Sequence, residues 1–69
     1  MYFALVIPKR GKPYYAPSRD MCQGWRLQRE AMAAADEKSL DDSVKCVHVI
    51  RPDFGAWDEL ARYIQGVRQ

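Results

Sequence analysis

The residue types that most often carry acid–base, nucleophilic or metal chemistry are few in this 69-residue chain: one histidine, two cysteines and nine carboxylates. General acid–base or nucleophilic catalysis needs a base within hydrogen-bond reach of a nucleophile, oriented by a third group. The only histidine, His48, stands between Val47 and Val49 in an apolar run. That is the setting of a structural or surface histidine, because strand centres in small sheets seldom line clefts. Cys46 and His48 share a strand face by the period of two, and Cys22 could complete an open zinc site with them. No C-x-x-C or equivalent pairing supports such a site, so free buried cysteines and no metal are expected. Asp41-Asp42 and Asp58-Glu59 are sequence neighbours whose side chains diverge in a turn or helix, which fits solvated or helix-end charge. Gly11 stands alone, far from a phosphate-cradling G-x-x-x-x-G-K-[ST] loop. The residues therefore predict no catalytic group, no cofactor and no enzyme activity.

The basic residues point to binding. Lys9, Arg10 and Lys12 crowd a turn next to Tyr14 and Tyr15, an interleaving of cations and aromatics that suits phosphates with unstacked bases. Lysines beside a sheet edge also keep it soluble and discourage strand addition. Arg19, Arg26 and Arg29 form a second candidate contact stripe. The net charge is only +2, below the footprint of a dedicated nucleic-acid binder. It is nevertheless uneven. Residues 1–30 hold six cations against two carboxylates, and residues 31–69 hold five against seven. Such two-ended charge favours an oriented encounter with a charged partner.

These side chains must be positioned by the elements that the pattern defines. Tyr2 to Ile7 reads as a central strand, Pro8 to Pro13 as a turn, and Tyr14 to Ala16 as a short edge strand between prolines. Ser18 or Asp20 can cap a helix running to about Lys38, with Met21, Gly24, Trp25, Leu27, Ala31, Met32 and Ala35 on one apolar arc. Gly24 on that arc suggests close approach to a strand. Arg19, Arg26 and Arg29 fall on the opposite side. Val44 to Arg51 is a third strand ended by Pro52. Asp53 can cap a last helix, with Trp57, Leu60, Ala61 and Ile64 at i, i+3, i+4, i+7, Phe54 extending the stripe and Gly66 near its stop. The expected fold is α+β in the order ββαβα: a three-stranded antiparallel sheet, strand order 2-1-3, with two helices. Trp25 and Trp57 are both expected on buried stripes.

Residues 1–69 can hardly hold more than one domain. Apolar residues at 48 % and charged residues at 29 % are the balance of a folded chain. The first apolar run is too short to cross a membrane and lacks the features of a signal peptide. A soluble, cytoplasmic protein without membrane contact is expected.

A hairpin at Tyr2 to Ile7 and Tyr14 to Ala16, a helix from Ser18 and a strand at Val44 to Arg51, with charged ends, resembles the small inhibitor proteins of bacteriophages, such as anti-CRISPR proteins and inhibitors of host RNA polymerase. The resemblance lies in size and element order, without a shared motif. It implies steric or electrostatic blocking of a large host complex. The positive net charge departs from the acidic members that mimic DNA. The resulting expectation is a non-catalytic protein-binding module, an inhibitor or modulator of a larger assembly, that contacts its protein partner through Lys9, Arg10, Lys12, Tyr14, Tyr15, Arg19, Arg26 and Arg29. The alternative is a small RNA- or DNA-binding domain using the same surface, and a homodimer is a third arrangement.

Overall fold

The computed structural model describes residues 1–53 and 56–69. Five strands and one helix follow one another as β1 (Phe3–Pro8), β2 (Tyr14–Ala16), α1 (Gln28–Ser39), β3 (Val44–Asp53), β4 (Ala56–Ile64) and β5 (Val67–Arg68). They form one antiparallel sheet in the order β2-β1-β3-β4-β5. The fold is α+β, but the expectation of three strands with two helices is overturned. The segment read as a second helix is the long strand β4, hydrogen-bonded to β3 from Tyr63 opposite Val47 out to Ala56 opposite Asp53. Phe54, expected to extend the helical stripe, lies outside the described residues.

This strand also carries a β-bulge. Val49 faces Ala61 while Ile50 faces Glu59, so Leu60 is an extra residue in β4. A bulge of this kind shifts the period of two by one position. Trp57, Leu60, Ala61 and Ile64 have the spacing of a helical stripe, but all four lie on β4 and divide between its faces: Ala61, opposite Val49, is buried in the core, and Trp57, opposite Pro52, is exposed. Gly66, read as a helix stop, is instead the second residue of a two-residue hairpin. Gln65 and Gly66 have φ of 52° and 77°, and Ile64 pairs with Val67 on either side of them. Positive φ at both central residues is the type I′ signature that matches strand twist. A side chain at Gly66 would also meet Leu40, 2.5 Å from its Cδ2.

The first helix is shorter than expected, and its start is overruled by local hydrogen bonds. The Asp20 carboxylate accepts the Ser18 hydroxyl and, at 3.0 Å, the Cys22 backbone N–H. This is the local side-chain bonding that competes with helix formation. Met21 then takes a left-handed φ of 62°, which breaks a right-handed helix. Trp25 pairs with Tyr2 as an isolated bridge, its N–H and C=O both bonded to Tyr2. Helical hydrogen bonding begins only with Glu30 and Ala31 donating to Leu27. Gly24 does approach a strand closely, though from this loop: a Cβ there would lie 2.9 Å from the Phe3 ring.

The helix lies on one face of the sheet. Its buried residues are Ala31, Ala35 and Ser39, a spacing of four that keeps them on one stripe. Small side chains there let the helix axis come close to β1, β3 and β4, where Ala4, Val6, Val47, Val49, Ala61 and Tyr63 complete the core. Ser39 is fully buried and fully used, since its hydroxyl donates to the Asp36 carbonyl at 2.7 Å and accepts the Gly66 N–H at 2.8 Å. That pair of bonds ties the end of α1 to the β4–β5 turn. Among the described residues α1 is the one helix, and it packs on this face of the sheet only.

Candidate functional site on the open face of the sheet

Directly paired residues in antiparallel strands project to the same side, and alternate residues project to opposite sides. The register therefore assigns the open face. It carries Phe3, Leu5 and Ile7 from β1, Tyr15 from β2, Cys46, His48, Ile50 and Pro52 from β3, and Trp57, Glu59 and Arg62 from β4. Phe3 and Ile50 are buried, and Leu5, Ile7, Tyr15, Cys46 and His48 are half-buried. Trp57 is 46 % exposed. The expectation that Trp57 is buried is thus corrected: a helical stripe would have faced the core, but the strand points this ring away from it. Trp25 is half-buried and packs beside the core on the helix side.

Two features give this face a defined shape. The Tyr15 and Trp57 rings, from the first and fourth strands of the sheet, meet with centroids 5.3 Å apart and planes at 38°. That is a favourable separation for an aromatic pair. Beside them Leu5, His48, Ile50, Trp57 and Glu59 line a shallow cleft of about 260 Å³. The polar residues of the cleft are already coupled. His48 Nδ1 lies 2.7 Å from Glu59 Oε1, and His48 Nε2 lies 3.6 Å from Cys46 Sγ.

The expected contact residues do not form one surface. Lys9, Arg10 and Lys12 are exposed at the β1–β2 connection, where Gly11 takes a φ of 96°. This tip follows β1 beyond Ile7, at one end of the sheet. Tyr14 and Tyr15 are divided by strand alternation: Tyr15 is on the open face, and Tyr14 packs against the core on the helix side. The Arg19 guanidinium stacks on the Tyr14 ring at 4.6 Å, a cation–π contact that partly occupies both groups. Arg26 is exposed in the loop before α1, and only Arg29 is on the helix. The arginine stripe along one helix is therefore corrected. It required a helix through residues 20–27, which the turn at Asp20 prevents.

The remaining candidates have local roles. Asp41 accepts the Ser43 N–H and hydroxyl at 2.8 Å each, bonds that hold its carboxyl below the ordinary range. Asp58 faces Arg51 at 3.4 Å with both groups about half exposed, so solvent screens the pair and it adds little to stability. Cys22 is exposed and donates to Asp20 Oδ2 at 3.0 Å. With the Ser18 hydroxyl first and Cys22 second, these donors lower the Asp20 carboxyl to about 2, while the bond to Asp20 raises the Cys22 thiol. Neither cysteine is fully buried, contrary to expectation, and Cys22 is engaged in its own turn. Among the described residues no cluster of three or more His, Cys, Asp or Glu side chains could hold a metal ion. No helix among them is long and apolar enough to cross a membrane.

Glu59 and Trp57 are the residues of this site that the sequence pattern places elsewhere: a helical β4 leaves Glu59 beside Asp58 as a helix-end charge and turns Trp57 into the core. Comparison with protein-family models, with curated proteins and with solved structures finds no match to this chain.

Proposed function

We propose that this chain is a non-catalytic protein-binding module, an inhibitor or modulator of a larger assembly, and that its contact surface is the open face of the sheet together with the basic β1–β2 tip. The observation that carries the reading is the position of Trp57. A large aromatic side chain lies nearly half exposed beside Tyr15 and a shallow apolar cleft, on the face that α1 does not cover. Aromatic side chains with an apolar surround and a polar rim are where binding energy concentrates in protein interfaces. The tip beyond Ile7, at the end of the sheet away from Trp57, carries exposed Lys9, Arg10 and Lys12 and gives the surface a positive end. The partner is accordingly a protein whose apolar patch is flanked by acidic side chains.

The reading is tested by capturing proteins from a native extract on the immobilised chain, identifying the captured protein and measuring its binding again in purified form. Trp57→Ala is expected to cost about 1 to 3 kcal/mol, or roughly 5- to 150-fold in affinity, and reversing charge at Lys9, Arg10 and Lys12 to weaken binding further. Arg29→Glu, on the helix side, should have no effect. Binding that survives both open-face changes would overturn the reading. A nucleic-acid partner would declare itself differently: binding would fall with salt at a constant logarithmic slope, and losing each phosphate contact would lower that slope by about one.

A further inference from the structure

Cys46, His48 and Glu59 form a chain of contacts on the open face, and His48 and Glu59 also line the cleft of the binding reading. His48 Nδ1 is 2.7 Å from a Glu59 carboxylate oxygen, and Nε2 is 3.6 Å from Cys46 Sγ. An ionised carboxylate can only accept, so Nδ1 carries the proton of the neutral ring and Nε2 presents its lone pair to the thiol. A nucleophile, a base and a group orienting that base are thereby lined up. The spacing is built into the sheet: Cys46 and His48 are two apart on β3, and the bulge at Leu60 brings Glu59 opposite Ile50, next along the same face. The other charged or titratable groups on this face near the pair are Arg62, opposite His48, and Tyr15, opposite Leu5. From β1 the neighbours are the apolar Leu5 and Ile7. Cys46 is half-buried and reachable.

We infer that Cys46 is a reactive thiol, activated by His48 with Glu59 as the positioning residue, that exchanges with low-molecular-weight disulfides. The Cys46 proton passes to His48 Nε2, and the thiolate attacks one sulfur of the disulfide. A Cys46 S–S bond forms as the original S–S bond breaks, and the departing thiolate takes the proton back from the imidazolium. The protein thiol is oxidised to a mixed disulfide, and half of the small disulfide is reduced to a free thiol. This is stoichiometric modification without turnover, and it stands whether or not the open face binds a protein. Cys22 provides the internal contrast: it is more exposed, yet its bond to the Asp20 carboxylate disfavours the thiolate that exchange requires.

The test uses the full chain carrying Cys22→Ser, with 2-hydroxyethyl disulfide as the probe and intact-mass spectrometry as the readout. An ordinary thiol loses about tenfold in rate per pH unit below its pKa of about 8.5. With His48 Nε2 placed to take the proton as the thiol attacks, the rate should instead change by less than about threefold between pH 8 and pH 7. Adding His48→Gln should restore the ordinary slope and slow the reaction at pH 7 by about tenfold or more. Adding Glu59→Gln at its exposed position should give a rate between those two. Circular dichroism checks that each variant is folded, and if His48→Gln unfolds the chain, Glu59→Gln decides. A tenfold loss per pH unit with both side chains in place, or a rate unchanged by His48→Gln or by Glu59→Gln, would overturn the inference.

Discussion

Tyr63→Ala is expected to destabilise the chain by about 3 to 5 kcal/mol, whereas Trp57→Ala should cost no more than about 1 to 2. Tyr63 is 8 % exposed and belongs to the core beneath α1, while Trp57 is 46 % exposed on the other face. Stability of roughly 0.05 to 0.15 kcal/mol per residue leaves so small a domain little reserve, so the Tyr63 variant should be largely unfolded at ordinary temperature. The pair of substitutions separates the two descriptions of residues 56–64. A helix with its stripe on Trp57, Leu60, Ala61 and Ile64 reverses the ranking, because Tyr63 would then lie off the stripe. Urea midpoints of the two variants decide between them, and equal midpoints would contradict the strand assignment.

A comparably large effect is expected at the helix–sheet contact. Ala35 is fully buried on the inner stripe of α1, and Ala33 is exposed on its outer side. A carboxylate at position 35 would have no partner within the apolar layer formed by Val6, Val47 and Val49. An unpaired buried charge costs about 3 to 5 kcal/mol, so Ala35→Asp should abolish the cooperative thermal transition. Ala33→Asp should stay within about 0.5 kcal/mol of the parent chain. Similar melting curves for the two variants would show that α1 does not present this stripe to the sheet.

How far the molecule was legible in its residues differs from element to element. The apolar run of β1, the prolines beside β2 and the Val44–Ile50 run of β3 carry their own strand signals, and these segments are strands. β3 continues through Pro52, where a proline is expected to end a strand. Pro52 lies beyond the last β1 partner of β3, Ile50, and neighbours β4 through Trp57. The segment at 56–64 defeats pattern reading for a definite reason: Ala, Glu, Leu and Arg favour helix, and Trp57, Leu60, Ala61 and Ile64 have the spacing of a helical stripe. A better signal was present at Gln65-Gly66, where a glycine between two short apolar stretches suits a type I′ hairpin as well as a helix stop. At the start of α1, Ser18 and Asp20 have the right chemistry for a cap, but they spend it on a closed local turn.

The site was legible in part for the same reasons. The shared face of Cys46 and His48 follows from the period of two and needs no tertiary information. Glu59 joins them only if β4 is a strand with one extra residue, so the third member could not be seen from a helical reading. The contact candidates fared likewise. Lys9, Arg10 and Lys12 are placed by a turn that the prolines and Gly11 announce, whereas Arg19, Arg26 and Arg29 were grouped by a helix that does not extend that far. A helical stripe would bury Trp57 in the core, whereas on a strand opposite Pro52 it stands exposed on the open face.

The claim that this face is the contact surface is tested most directly by site-specific photo-crosslinking. A benzophenone amino acid is placed at Trp57 in one chain and at Ala33, on the outer side of α1, in another, and each is irradiated in a native extract. One discrete protein adduct is expected from position 57, lost when Lys9, Arg10 and Lys12 are reversed in charge, and none from position 33. A discrete adduct from position 33 with none from position 57 would contradict that claim.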